Sequence, residues 1–370
     1  MSDFLVVGGG VIGMLTAREL AQSGASVTLV ERGTCGREST WAGGGIVSPL
    51  YPWRYQEPVT QLATWSQGSY VHLAQDLLDE TGIDPELRQQ GMFMVAVDDE
   101  AEALAWAQRY QRPMQQVDAD FLYRKEPRLQ PGHERALWMP EVASIRNPRL
   151  GKALRRSLEL NPRITLVEQA GSTRLLLESE RVCGLATELG DYRAGQTVLA
   201  AGAWTATVLQ QLGIELPVEP VKGQMMLFKA PAGLVNRVVL QGGRYLIPRN
   251  DGRILVGSTL ERVGFDKQTT DVARDSLYRS ALEIVPALAD YPVEHHWAGL
   301  RPGSPEGIPY IGEVPGVRGL HVNAGQYRNG LVLAPASTRL MADLLLKRRP
   351  IIDPAPYRLS APHPGSGVDR

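Results

Sequence analysis

This 370-residue chain has little cysteine and no surplus of either charge. Its two cysteines, Cys35 and Cys183, cannot build a disulfide framework or a cysteine-rich zinc site, and they favour a reducing compartment. Lys and Arg total 39 against 40 Asp and Glu. Without a basic excess, nucleic acid is excluded as the main partner.

Long apolar runs are also missing. No run approaches the roughly 18 residues that a membrane-spanning helix needs, and the opening MSDFLVVGGG lacks the basic segment of a signal peptide. We therefore expect a soluble cytoplasmic protein without an integral membrane segment, and peripheral membrane contact stays open. The length favours two domains.

The N-terminal segment predicts a βαβ unit. Phe4–Val7 is typical of a strand buried on both faces, and Val11–Ala21 has the apolar spacing of a helix. Ser26–Val30 is a second strand, with Glu31 at its end. The whole unit spans about 30 residues, the usual length of this motif.

Glycines connect the first strand to the helix in the pattern GxGxxG, at Gly8, Gly10 and Gly13. The first permits a tight turn, the second lets the backbone approach a pyrophosphate, and the third lets the helix pack closely. The helix N-terminus favours phosphate, and Glu31 can accept hydrogen bonds from ribose while repelling a 2′-phosphate. The unit predicts dinucleotide binding, disfavours NADP and leaves FAD and NAD open.

Two later features favour an extended cofactor. An NAD dehydrogenase usually continues with more βα repeats, but here an irregular segment follows that contains Gly43-Gly44-Gly45. Much later, the strand Thr197–Ala200 ends at Ala201-Gly202. A glycine-rich loop and a late glycine beside the first unit suit a cofactor bound along its length.

Four segments, VVGGGVIG, AAGAW, WAGLRPGSPEGIPYIG and NAGQYRNG, together resemble the D-amino-acid oxidase superfamily of flavoproteins. Their order and spacing are most similar to the glycine oxidases of thiamine biosynthesis, over about residues 4–347. The resemblance implies non-covalent FAD and oxidation of glycine, sarcosine or small D-amino acids by hydride transfer to the flavin. Dioxygen would then give hydrogen peroxide, and the imine would give glyoxylate and ammonia or enter the thiazole branch of thiamine biosynthesis.

The resemblance also implies an α/β fold with a discontinuous Rossmann-like FAD-binding domain. We expect that domain over residues 1–85, 145–215 and 297–350. Residues 86–144 and 216–296 would form a β-rich, α+β substrate domain with an antiparallel sheet. The proline-rich residues 351–370 are expected to be a loosely ordered C-terminal tail.

The candidate substrate residues lie late in the chain. Arg328 sits among small residues in NAGQYRNGLVLAP, and a guanidinium matches a carboxylate bidentately. The resemblance implies that Arg328 clamps the substrate carboxylate, that Tyr245 donates to it, and that Arg301 lies nearby. The plainer alternatives are a surface arginine, a half-buried strand tyrosine and a structural ion pair. Two positions depart from the glycine oxidase pattern, where Gly243 replaces a histidine and Leu260 a methionine.

The residues expected to contact the cofactor come from the motifs already described and from the C-terminal segment. They are Gly8, Gly10, Val11, Ile12, Gly13, Glu31, Arg32, Thr40, Gly43, Gly44, Gly45, Gly202, Trp204, Arg301, Gly325, Arg328, Asn329, Gly330 and Leu331. Pro335 suits the first turn of a helix that continues to about Leu346. The start of that helix would stabilise negative charge on a reduced flavin.

Other patterns in the sequence favour less specific or different functions. His295 and His296 do not predict a metal site, because adjacent residues of a strand point to opposite faces and no ligand spacing accompanies them. A dehydrogenase of D-amino acids or N-methyl amino acids that passes electrons to a quinone would carry nearly the same motifs. A flavin-binding protein without catalysis is a more distant alternative. We expect small amino acids and dioxygen as partners, and a homo-oligomer.

Overall fold

The computed structural model describes residues 1–363, which form two eight-stranded sheets and one two-stranded ribbon within those limits. The strands are β1 (Ser2–Val7), β2 (Val27–Val30), β3 (Arg88–Gln89), β4 (Met92–Val95), β5 (Gln115–Asp118), β6 (Arg135–Met139), β7 (Ala143–Ser144), β8 (Ile164–Val167), β9 (Thr173–Glu178), β10 (Arg181–Thr187), β11 (Gly190–Leu199), β12 (Glu219–Phe228), β13 (Val238–Gln241), β14 (Arg244–Pro248), β15 (Ile254–Gly257), β16 (Val293–Gly303), β17 (Tyr310–Glu313) and β18 (Leu320–Ala324). The helices are α1 (Val11–Gln22), α2 (Glu38–Ala42), α3 (Glu57–Thr81), α4 (Glu100–Arg109), α5 (Ala119–Lys125), α6 (Asn147–Leu160), α7 (Thr205–Gln210), α8 (Asp271–Ile284) and α9 (Gly330–Leu345).

The first sheet contains the βαβ unit predicted from the sequence. Its central path runs β17-β18-β11-β1-β2-β8, with β1 parallel to both β2 and β11. The apolar run of β1 is buried on both faces, as such a central position requires. The late strand therefore delivers Gly202 beside the first glycine turn, as the sequence predicted.

The second sheet is almost wholly antiparallel. Its order is β16-β12-β15-β14-β13-β4-β6-β5, and the β13–β4 pair is parallel. Helix α8 packs against it with apolar residues at helical spacing, including Leu277, Ala281 and Ile284. The two chain segments expected to form a β-rich domain thus supply strands to this one sheet. The domain limits themselves stay a proposal. Strand β16 runs through the expected boundary at 296–297 while it pairs with β12.

The start of α9 differs from the sequence-based prediction. The helix begins at Gly330, so Pro335 lies inside it rather than in its first turn. Proline lacks the N–H that would bond the carbonyl of Leu331. The Tyr70 hydroxyl, from α3, donates to that carbonyl at 2.5 Å. A tertiary contact therefore replaces the missing helical hydrogen bond.

The described part of the C-terminal segment is packed, although loose order was expected. Tyr357 is fully buried, and its hydroxyl donates to the Pro58 carbonyl at 2.8 Å. The His363 ring stacks on Tyr310 with 4.5 Å between centroids. Residues 364–370 of the expected tail lie outside the described residues.

Candidate active site

A cavity of about 390 Å³ lies between the two sheets. Its lining begins at the glycine turn after β1 and reaches β12, β14 and the segment before α9. Most residues expected at the site line it: Gly8, Gly10, Val11, Ile12, Glu31, Arg32, Thr40, Gly43, Gly44, Gly45, Gly202, Trp204, Tyr245, Arg301, Arg328, Asn329, Gly330 and Leu331. Gly13 and Gly325 are not among the lining residues.

The glycine turn is built for close approach of backbone. Gly8 has φ +111°, and a Cβ there would lie 2.4 Å from the Ala200 carbonyl oxygen. A Cβ on Gly13 would lie 1.8 Å from the Gly8 carbonyl oxygen. Only glycine fits either position, and Gly13 acts by letting α1 pack on the turn.

The Glu31 carboxylate is held by backbone N–H groups on both sides. One oxygen accepts from Gly9 at 2.7 Å and the other from Gly33 at 2.8 Å. Each carboxylate oxygen has a second lone pair, so the group can still accept from ribose hydroxyls at the end of β2. This double anchoring was not foreseen from the sequence.

Two buried amides border the cavity with an atom that lacks a protein partner. Within residues 1–363, Asn147 Oδ1 and Asn329 Nδ2 are buried and make no hydrogen bond. Asn147 otherwise donates to the Thr40 carbonyl, while the Thr40 hydroxyl accepts from the Val11 N–H. Buried polar atoms are rarely left unpaired, so these two call for a polar ligand in the cavity. Asn147 is a residue that the sequence reasoning missed.

Tyr245 lies at the second-sheet end of the cavity. It is 7% exposed, and its hydroxyl lies 3.4 Å from Met225 Sδ on β12. Thioether sulfur is a weak acceptor, which leaves the hydroxyl able to donate to a stronger one. Met225 also lines the cavity and was not identified from the sequence.

Arg301 is fixed by neutral oxygens. It donates to Ser258 Oγ at 2.6 Å and to the Thr259 carbonyl at 3.2 Å. Burial lowers the pKa of its guanidinium, and the positive charge of Arg328 lowers it further. Within the described chain, no carboxylate is bonded to Arg301. The guanidinium groups of Arg301 and Arg328 lie close enough to influence each other.

Arg328 occupies the 3-10 turn Tyr327–Asn329, directly before α9. Side-chain bonds hold the loop that leads to this turn: Gln326 donates to Asn323 at 2.8 Å, and Ser304 donates to the Gly325 carbonyl. Two arginines beside a tyrosine hydroxyl in a cavity form an environment that favours a small anion.

The two departures from the expected pattern, Gly243 and Leu260, lie outside the cavity lining. Gly243 lies in the turn between β13 and β14, and its N–H donates to the Tyr51 hydroxyl at 3.3 Å. Leu260 is 38% exposed. Neither lines the cavity, whereas Tyr51 is buried beside Tyr245 in one apolar cluster.

Residues 258–270, which we call the strap, connect β15 of the second sheet to α8 and contact residues beside the first sheet. Buried Lys222 anchors the strap through Asp266 and the Gln268 carbonyl, each at 3.1 Å. The residues that alternate with these two contact the first sheet's side: Phe265 stacks on Trp204 with 5.5 Å between centroids, and Lys267 pairs with Glu38 at 3.0 Å. Because Trp204 and Glu38 line the cavity, the strap braces its nucleotide end.

His295 and His296 belong to β16. Across residues 1–363, no group of three or more His, Cys, Asp or Glu side chains is placed to hold a metal ion. In the same residues, every helix is too short or too polar to cross a bilayer.

The cavity fits FAD. Its glycine turn and α1 N-terminus suit a pyrophosphate, Glu31 suits a ribose, and unpaired Asn329 Nδ2 at the far end suits an acceptor atom of a flavin ring. The start of α9 directs backbone N–H groups toward the same end.

Comparison with known proteins agrees with this arrangement. The family described as "DAO: FAD dependent oxidoreductase" matches residues 3–344. A glycine oxidase of Pseudomonas aeruginosa is 58% identical over 353 residues, which cover 95% of this chain and 97% of that protein. A crystal structure of glycine oxidase from Geobacillus kaustophilus has a TM-score of 0.90 and 31% identity, covering 97% of this chain and 98% of its own. The bifunctional protein ThiO/ThiG of Synechocystis sp. is 30% identical over 94% of this chain and 52% of that protein. The chain belongs to the family of FAD-dependent oxidoreductases.

Proposed function

We propose that this protein is a glycine oxidase that converts glycine, water and dioxygen into glyoxylate, ammonia and hydrogen peroxide. The observation that carries the proposal is the placement of Arg328, Arg301 and Tyr245 in the same cavity as the dinucleotide-binding turn. A carboxylate site joined to a cofactor site is what oxidation of an amino acid requires. Glycine oxidases of two Pseudomonas species, at 58% and 55% identity, support this assignment.

FAD, held non-covalently by the glycine turn, Glu31 and the segment Asn329–Leu331, supplies a two-electron acceptor that dioxygen reoxidises. Arg328 binds the substrate carboxylate, and the Tyr245 hydroxyl donates to it. Together they fix the orientation of the α-carbon, and positioning of this kind lowers the barrier without a protein acid or base. Accordingly, we assign no general base. Water then hydrolyses the released imine to the keto acid and ammonia.

The walls of the flavin cavity near Tyr245 favour small substrates. Tyr245 and Met225 are nearly fully buried and contact each other across β12 and β14. Sarcosine and small D-amino acids belong to the proposed substrate range together with glycine. The match to the ThiO portion of a ThiO/ThiG protein supports a role in supplying the glycine imine to thiazole formation in thiamine biosynthesis.

An anaerobic titration tests the proposal. Glycine should bleach the flavin absorption of the purified holoenzyme, and air should restore it rapidly with one hydrogen peroxide per turnover. Bleaching by glycine followed by very slow reoxidation in air would favour a dehydrogenase that uses a quinone. A flavin that glycine, sarcosine and D-alanine all leave oxidised would eliminate both.

The proposal also covers the cellular compartment and the oligomeric state of the protein. Cys35 and Cys183 are both free thiols, which suits a reducing cytoplasm. We also propose that the protein forms a homo-oligomer. Within each subunit, the second sheet and the helices packed on it would form one substrate domain. Light scattering of the holoenzyme during size-exclusion chromatography tests assembly, and a monomeric mass at micromolar concentration would contradict it.

A further inference from the structure

A second cavity, of about 370 Å³, lies outside the flavin cavity. Its walls come from α3, the segment 47–52, the end of α4 and residues 139–143. Ser48 lines both cavities, so one short segment separates them. The proposed chemistry makes no use of this space.

The second cavity contains a guanidinium with few partners. Arg112 is half-buried and donates to the Gln67 side-chain oxygen, while Gln67 itself donates to the Val47 carbonyl at 2.9 Å. Among the described residues, no carboxylate forms an ion pair with Arg112 within 4.0 Å. Burial lowers the pKa of Arg112, and Glu141, an exposed residue that also lines this cavity, offsets this only in part. The wall therefore carries one guanidinium and one carboxylate, and no ion pair within 4.0 Å joins them.

A second donor belongs to a residue that lines the same cavity. Trp106 lies on α4, and its indole Nε1 is buried without a hydrogen-bond partner in the described chain. A buried unpaired N–H costs free energy that a ligand acceptor would recover. Apolar side chains form much of the remaining wall, namely Pro49, Pro52, Val71, Leu87, Met139 and Val142. Ser48, Thr60, Thr64, Gln89 and Glu141 also line it.

We propose that this second cavity is a binding site for a small monocarboxylate with an apolar body. The carboxylate accepts from Arg112 and from the Trp106 indole N–H, and the body occupies the apolar wall. The arginine fork and the single indole donor match a planar carboxylate. The apolar part of the wall favours an anion with an apolar body over a fully hydrated inorganic one. Ligand bound there contacts the segment 47–52, whose other side borders the flavin cavity.

Crystals of the holoenzyme soaked in 4-bromophenylacetate test the location. The bromine anomalous signal should lie in the second cavity, with the carboxylate on Arg112. A signal confined to the flavin cavity, or none, overturns the proposal.

Calorimetric titration with phenylacetate tests the residues in solution. Arg112→Gln should weaken binding by roughly tenfold or more, because a charged hydrogen-bond partner is lost. Trp106→Phe keeps an aromatic side chain but removes the indole N–H, and it should weaken binding by a smaller factor. Arg112→Lys, the matched control, keeps the charge and should fall between wild type and Arg112→Gln. The flavin spectrum monitors the first cavity independently, so equal phenylacetate affinity in wild type and Arg112→Gln would refute the site even if the oxidase proposal holds.

Discussion

Tyr245 on β14 stands directly opposite Gly257 on β15, and a Cβ at Gly257 would lie 2.5 Å from the tyrosine hydroxyl. The glycine thus leaves the space that the phenol ring occupies. The pairing of Tyr245 with Gly257 therefore fixes the position from which the tyrosine hydroxyl can donate a hydrogen bond.

Gly257→Ala should displace Tyr245 and impair substrate binding. Tyr245→Phe removes the hydroxyl without the displacement, and loss of one hydrogen bond to a charged group is expected to lower kcat/KM by roughly tenfold to a hundredfold. We expect Gly257→Ala to be at least as impaired, measured by steady-state oxygen consumption with glycine. The pairing would be unimportant if Gly257→Ala kept wild-type kinetics.

Arg328→Ala should raise KM for glycine strongly, because the carboxylate loses its bidentate partner inside the cavity. The expected loss in kcat/KM is about 10²-fold or more, in line with removal of a charged hydrogen-bond pair. Arg328→Lys keeps the charge but loses the fork, and should be intermediate. An unchanged KM in Arg328→Ala would remove this residue from the carboxylate site.

Phe265→Ala should speed FAD loss, since the strap would no longer stack on Trp204. The rate can be followed by flavin fluorescence after dilution of the holoenzyme. Val263→Ala trims another exposed apolar side chain of the strap, 45% exposed, and serves as the matched control. If both variants release FAD at the wild-type rate, the strap does not brace the cofactor.

Tyr70→Phe should destabilise the fold. The Leu331 carbonyl in α9 would lose the hydroxyl that replaces the proline N–H, at a cost of about 1–3 kcal/mol. We expect an apparent Tm lower by several degrees in calorimetry. Tyr278→Phe deletes the same atom from a partly exposed tyrosine of α8 and should shift the Tm much less. Equal Tm values for the two variants would contradict the role given to Tyr70.

Local patterns made the βαβ unit predictable. Its strands, its helix and the terminal Glu31 follow from apolar period and glycine spacing within one short segment. Arg328 and Tyr245 could be nominated only through resemblance, because nothing in their immediate sequence says that they share a cavity.

Long-range contacts explain what the sequence did not predict. Pro335 usually marks a first helical turn, but Tyr70, far away in α3, supplies the bond that lets α9 begin earlier. Asn147, Met225 and the strap have no local signal, since their roles depend on which strands become neighbours. The buried Tyr357 likewise needs a partner in α3 that composition cannot reveal.

The strap links the uptake of FAD to the folding and degradation of the protein in a cell. Because it ties Lys222 of the second sheet to Trp204 and Glu38 in the cavity wall, we expect binding of FAD and packing of the two sheets to stabilise each other. A chain that has not yet acquired its flavin would hold this bridge less firmly and expose it to proteases. Flavin supply would then set the steady-state abundance of the protein as well as its turnover.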